Sequence, residues 1–224
     1  MRTFLRDNGL VLFFGAIFLL ALGGQAVAGF HAFNDDQVAA GAAPVSWTTY
    51  LTSSDFGVDV AENWQSEYLQ FALYIVATAY LVQRGSPESK PLDRAGTESD
   101  ADQRVGRHAQ DDSPPAARAG GGRLWWYSHS LGSTMGLIFL ASWTAQAVAG
   151  RAAHNAQQLR NLQDPVGFVA YLAAPDFWNR TLQNWQSEFL AILSMALLSI
   201  YLRQRGSPES KPVGAAHSAT GVEG

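Results

Sequence analysis

Two glutamates, Glu67 and Glu188, close identical pentapeptides that stand 121 positions apart, Asn63-Trp64-Gln65-Ser66-Glu67 and Asn184-Trp185-Gln186-Ser187-Glu188. Each pentapeptide runs directly into an apolar stretch, Tyr68 to Val82 and Phe189 to Leu202. A carboxylate at the edge of hydrocarbon is costly unless it is paired or faces water, so such groups are candidates for carrying a cation or a proton. Gln25 lies nineteen residues beyond Arg6, about 28 Å along a helix. Glu67 lies seventeen residues before Arg84, about 25 Å along a second helix. The two side chains therefore come to similar depth, and Gln146 and Glu188 do the same in the second copy. Asn63 and Asn184 sit one helical turn before their glutamates, on the same face. Gln25, Asn63, Glu67, Gln146, Asn184 and Glu188 thus form a candidate polar pocket. Three uses fit it: hydrogen bonds that glue helices together, a cation or proton pathway, or a small-ligand site. As structural elements, Glu67 would favour a helix N-terminal turn through the dipole, and Trp64 and Trp185 would be interface anchors.

Other chemistry finds no footing in the sequence. There are no cysteines, which removes disulfides, thiolate metal sites and thiol nucleophiles. The five histidines, His31, His108, His129, His154 and His217, lie outside the interiors of the apolar runs and do not recur at the 121-residue spacing. No haem ligand or zinc-peptidase motif is expected from them. No Gly-x-Ser-x-Gly elbow is present. No catalytic residue, metal or cofactor is expected, and the chain reads as a non-enzyme.

The elements that must position the pocket follow from a tandem repeat. Gln25 to Gly29 (QAVAG) returns as Gln146 to Gly150, and Gln83 to Pro91 (QRGSPESKP) returns as Gln204 to Pro212. Pro44 pairs with Pro165, Tyr50 with Tyr171, and Asp55-Phe56 with Asp176-Phe177, always 121 apart. The reading places a first transmembrane hairpin at 4–91, a disordered cytoplasmic linker at 92–122, a second hairpin at 123–212 and a disordered tail at 213–224. Linker and tail carry few large apolar side chains to offset their ordering entropy.

Each hairpin opens with an uncharged run, Leu10 to Gly29 or Leu131 to Gly150, long enough to cross a bilayer core of about 30 Å. The second runs are shorter and must borrow the preceding polar turn. Pro44 and Pro165 should begin short interfacial helices, with Asp164 as the cap of the second, and Asp55 and Asp176 should cap the second long helices. Gly85 and Gly206 suit a helix end that needs positive φ, with a proline two residues on. Arg84, Arg205 and Lys90 suit anionic headgroups. Ser86, Glu88, Ser89 and Lys90 exceed what a helix stop requires, and their recurrence suggests packing under the helices or onto a partner.

Arg2 and Arg6, an apolar stretch and Ala26-Val27-Ala28 also match a cleavable secretory signal. The same Ala-Val-Ala recurs deep in the chain before Gly150, so the first helix is expected to stay. Lys and Arg set the orientation. Twelve of the fifteen lie in the N-terminal flank, the linker region and the C-terminal flank; only Arg151, Arg160 and Arg180 fall between the apolar runs of a hairpin. Both termini and the linker are therefore expected in the cytoplasm, with the halves related by an axis along the membrane normal.

Composition agrees once it is read locally. Over 224 residues, charged side chains make up 15% and hydrophobic ones 47%. The mean hydropathy of −0.04 averages apolar runs with charged connectors. The net charge of −4 gives no nucleic-acid footprint. The fold class expected is all-α: a four-helix transmembrane bundle built from two tandem parallel helical-hairpin repeats. Its partners are the lipid bilayer and, unassigned, a second copy or another membrane protein. The Asn-Trp-Gln-Ser-Glu and Arg-Gly-Ser-Pro-Glu-Ser-Lys-Pro pairs resemble a family of small bacterial integral membrane proteins catalogued only as a domain of unknown function. The resemblance covers both repeats, implies the inner membrane and supplies no activity.

Overall fold

The computed structural model describes residues 2–223, and all regular structure among them is helical. In order these are α1 (Arg2–Asp7), α2 (Gly9–Ala39), α3 (Trp47–Leu51), α4 (Ser54–Tyr80), a 3-10 turn (Gly106–His108), α5 (Pro115–Arg118), α6 (Gly121–Ser128), α7 (Ser130–Arg160), α8 (Phe168–Leu172) and α9 (Pro175–Tyr201). The 121-residue period carries through: α2, α3 and α4 recur as α7, α8 and α9 with both ends shifted by that number.

The helix ends differ from expectation for local reasons. Helices α2 and α7 continue ten residues past Gly29 and Gly150, through polar sequence. Asn34 explains why: its side-chain amide donates to the Val45 carbonyl (3.2 Å) and its oxygen accepts from the Val45 amide (2.7 Å). Asn155 does the same with Val166, at 3.0 and 2.8 Å. These bonds fold the connector back onto the helix and satisfy its backbone polar groups. The prolines precede the short helices instead of opening them. Helix α3 is capped by Ser46, whose hydroxyl accepts from the Thr49 amide at 3.2 Å, and α8 begins at Phe168, beyond Asp164 and Pro165. Asp55 and Asp176 lie inside the first turns of α4 and α9. Ser53 accepts from the Phe56 amide at 3.2 Å, so it holds the capping role expected of Asp55. Before α9 the cap position is Ala174, with Pro175 supplying the preset first turn.

The chain divides into two compact units, Met1–Val60 with Ala145–Tyr171, and Ala61–Thr144 with Leu172–Gly224. In the first unit Tyr50 and Tyr171, 2% and 0% exposed, are the principal buried aromatics. Rings of Phe30, Phe33 and Phe56 lie 5.4–6.0 Å from that of Tyr50. Each tyrosine hydroxyl occupies the place where a Cβ on Gly29 or Gly150 would stand. Close approach of the tyrosine thus requires the terminal glycine of both QAVAG strings. Gly57 admits the Ala149 methyl, and Val58 packs against Gly150, which seats the start of α4 on the end of α7.

In the second unit the aromatic cluster is built from Phe139 and Trp143 of α7 with Phe177, Trp178 and Trp185 of α9. Trp143 Nε1 donates to the fully buried Thr181 hydroxyl at 3.4 Å. Gly132 of α7 leaves room for Ile75 and Val76 of α4.

Candidate functional site

The six residues of the sequence-derived pocket are shared between the units. Gln25, half-buried, and Gln146, fully buried, belong to the first; Asn63, Glu67, Asn184 and Glu188 belong to the second. Within the second unit Glu67 is exposed and Glu188 half-buried, and the two carboxylates lie within electrostatic range of each other. The serines of both pentapeptides bond back to their own turn: Ser66 donates to the Asn63 carbonyl and Ser187 to that of Asn184, each at 2.9 Å.

Burial singles out the middle of the first pentapeptide. Gln65 and Ser66 are 0% and 2% exposed, whereas Gln186 and Ser187 are exposed. Gln65 accepts from Trp185 Nε1 at 2.8 Å and donates to the Glu62 carbonyl at 3.1 Å. Beside it Arg180 pairs with Glu62 at 3.0 Å and approaches Asp176 at 3.7 Å. Trp185 thus holds a polar partner of its own, Trp64 is 41% exposed, and Arg84 and Arg205 are exposed.

The two QRGSPESKP segments form matched loops. Ser89 Oγ accepts from the Gln83 amide at 2.8 Å, and Ser210 Oγ from the Gln204 amide at 2.9 Å. Each serine then donates to the carbonyl of the following lysine at 3.1 Å. Gly85 and Gly206 have φ of 86° and 82°, as a turn closed by glycine requires. Because α4 and α9 stop at Tyr80 and Tyr201, these glycines turn the loop and do not cap the helices.

The lysines carry the loops in different directions. Lys90 donates to the Gly96 carbonyl at 2.8 Å and pairs with Glu98 at 2.6 Å, a contact that holds the Glu98 carboxyl below its ordinary range, chiefly through that bond. Lys211 is 1% exposed and reaches four carbonyls: Gly85 at 2.6 Å, His217 at 2.9 Å, Ala219 at 3.2 Å and Ala216 at 3.3 Å. Burial, reinforced by the charge of Arg203, lowers its pKa. Thr220 and Gly221 complete the strap by bonding the Gly85 amide (2.8 Å) and the Ser86 carbonyl (3.0 Å). Segments 92–122 and 213–224, expected to be disordered from composition, therefore carry specific bonds at Gly96, Glu98 and 215–221.

Between these loops and the aromatic cluster lies a cavity of about 260 Å³, lined by Gln70, Phe71, Tyr74 and Glu88 with Ala191, Ile192 and Met195. The helix residues form one set of positions seen twice: 70, 71 and 74 of α4 recur 121 residues on as 191, 192 and 195 of α9. Gln70, Tyr74 and Glu88 make up its polar lining, and Phe71 with the three α9 residues its apolar lining. The Tyr74 hydroxyl donates to Glu88, and Glu88 shares a hydrogen bond with Glu209, its counterpart in the second loop; that bond, then burial and the Glu88 charge, raises the Glu209 pKa. Among the described residues the buried Oε1 of Gln70 has no hydrogen-bond partner, and no group of three or more His, Asp or Glu could hold a metal ion.

Sequence reasoning missed Gln65, Arg180, Gln70 and Tyr74. The available signal lay in Gln70 against Ala191 and Tyr74 against Met195, where the copies differ at matched positions facing one space.

The chain belongs to the family whose model is described as a domain of unknown function (DUF6766), which matches residues 1–222. No curated protein and no solved structure matches it.

Proposed function

From membership of a family without an assigned activity, we propose that the chain is a multi-pass integral membrane protein with a structural or interaction role and no enzymatic one. It forms a four-helix bundle of two tandem parallel hairpins in the cell (inner) membrane. Two helices among the described residues, α2 and α7, are long and apolar enough to cross a bilayer. The observation that carries the reading is the bareness of α2. Its most apolar window has a mean hydropathy of 2.3 yet is 6% buried, and Leu10, Val11, Phe13, Leu19 and Leu20 are 61–77% exposed. Apolar surface left in water costs about 25 cal/mol per Å², and hydrocarbon removes that cost. The Gly29–Tyr50 contact supports α2 as a retained part of the fold and not a discarded signal.

Helices α4 and α9 complete the crossings in this reading, their charged first halves held in protein and their apolar second halves in lipid. Trp125, Trp126 and Tyr127, 46–62% exposed on α6, suit the headgroup level just before α7. The twelve-to-three placement of basic residues supports cytoplasmic termini. The partners are then the bilayer, a second copy or another membrane protein, and not nucleic acid.

The electrostatic proximity of Glu67 and Glu188 favours one second reading, a small cation or proton transporter or channel that uses them. A cytoplasm-only reporter fused after Gly224 tests the topology, and active fusions are expected. A silent reporter, or a mature chain beginning near Gly29, contradicts it. Flux in proteoliposomes separates the two readings: Glu67→Gln abolishes flux while leaving the fold intact if the carboxylates carry a cation, and has no flux to abolish if they are structural.

A further inference from the structure

The cavity between α4 and α9 is lined by polar and apolar groups, and acceptors prevail among the polar ones. Gln70 and Tyr74 are one turn apart and share a face of α4. The Gln70 Oε1 is buried and unpartnered, and a buried acceptor left unpaired costs about 1–3 kcal/mol. The Tyr74 proton is committed to Glu88, which leaves the phenol oxygen as an acceptor. Glu209 of the second loop stands beside Glu88, and hydrogen bonding with Glu88 raises its pKa. Glu88 brings its carboxyl group to the cavity wall. Gln70 Oε1, the Tyr74 oxygen and the Glu88 carboxyl oxygens accept hydrogen bonds, and the Gln70 amide nitrogen is the donor beside them. Phe71 on α4 and Ala191, Ile192 and Met195 on α9 have no hydrogen to donate. At about 260 Å³ the space is at the small end of ligand sites, which run upward from roughly 300 Å³.

We propose that this cavity binds a small hydrophobic ammonium ion, its N–H groups donating to Gln70 Oε1 and the Glu88 carboxylate and its apolar body lying against Ile192 and Met195. An ammonium supplies donors without acceptors, which matches the unpartnered Gln70 Oε1 and the Glu88 carboxylate; a carboxylate or phosphate would repeat the Glu88 charge. Met195 suits bodies of varied shape, because a thioether adapts to irregular contacts. The site lies wholly within the second unit, so it stands whether or not the transmembrane reading holds.

The test is isothermal titration of the full chain in detergent micelles with 2-phenylethylamine, and with 2-phenylethanol as the uncharged probe of the same size. Saturable binding of the amine, one per chain, is expected, with the alcohol at least tenfold weaker. Glu88→Gln should weaken the amine at least tenfold and Gln70→Leu severalfold. Should Glu88→Gln disturb the loops, Met195→Trp decides: it fills the cavity from α9, leaves the loop hydrogen bonds in place, and should abolish amine binding with an unchanged melting profile. No saturable amine binding by the unaltered chain, equal binding of the two probes, or full binding by Met195→Trp overturns the proposal.

Discussion

The two units treat the same repeat in opposite ways. In the first, matched positions do matched work: Tyr50 fills the space over Gly29 as Tyr171 fills that over Gly150, and Asn34 holds Val45 as Asn155 holds Val166. In the second, matched positions part company. Gln65 is buried under Trp185 while Gln186 is exposed. Trp143 and Trp178 stand where the first copy has Leu22 and Gly57. Lys90 binds its own downstream chain, whereas Lys211 reaches across to Gly85. Shared devices mark what a hairpin needs in order to fold. Specific chemistry is to be sought where the copies depart from each other, and the cavity between α4 and α9 joins three such departures.

That contrast is most exposed to substitution at the tyrosines. Tyr50→Ala and Tyr171→Ala should each cost about 3–5 kcal/mol, and by similar amounts, measured by thermal melting in micelles. A large inequality would break the symmetry claimed for the first unit. The lysines should behave unequally. Lys211→Met removes four carbonyl contacts and should cost about 2–3 kcal/mol. Lys90→Met loses a partly exposed pair and should cost about 1 kcal/mol or less. Glutamine gives a smaller version of the same test. Gln65→Leu strands the Trp185 indole N–H and should cost about 1–2 kcal/mol, whereas Gln186→Leu should stay within about 0.5 kcal/mol.

The smallest effect expected is on pH. The folded-state pKa of Glu209 is raised by the bond to Glu88. Its contribution is therefore complete below the ordinary glutamate value of about 4.3 and is lost as pH rises through the higher folded value. Melting of the unaltered chain should fall with rising pH across that window, and Glu209→Gln should flatten the slope.

The sequence made the period, the long helices and the turn glycines legible because each is a local pattern: identical strings, uncharged runs, and Gly two residues before Pro. It did not reveal that α2 and α7 run on to Ala39 and Arg160, because that extension depends on Asn34 and Asn155 bonding backbone eleven residues away. Composition counts apolar side chains, and what holds 215–221 is hydrogen bonding: the Lys211 amine, Arg203, which donates to the Ala215 carbonyl at 3.1 Å, and the bonds of Thr220 and Gly221 to the Gly85 amide and the Ser86 carbonyl. Of the candidate pocket, the glutamates were chosen for depth. The Trp185–Gln65 bond needs two helices in one register, which residue spacing along a single helix does not give.

The central claim is that each repeat crosses a membrane out and back, with both repeats in the same orientation. The chain has no cysteine, so single cysteines can be placed without background at Asp36, Ser99, Gln163 and Ser218 and probed with a membrane-impermeant maleimide. The account predicts labelling of positions 36 and 163 in intact cells, and of 99 and 218 only after the membrane is opened. Labelling of position 99 from outside, or equal labelling of all four in a soluble fraction, would contradict it.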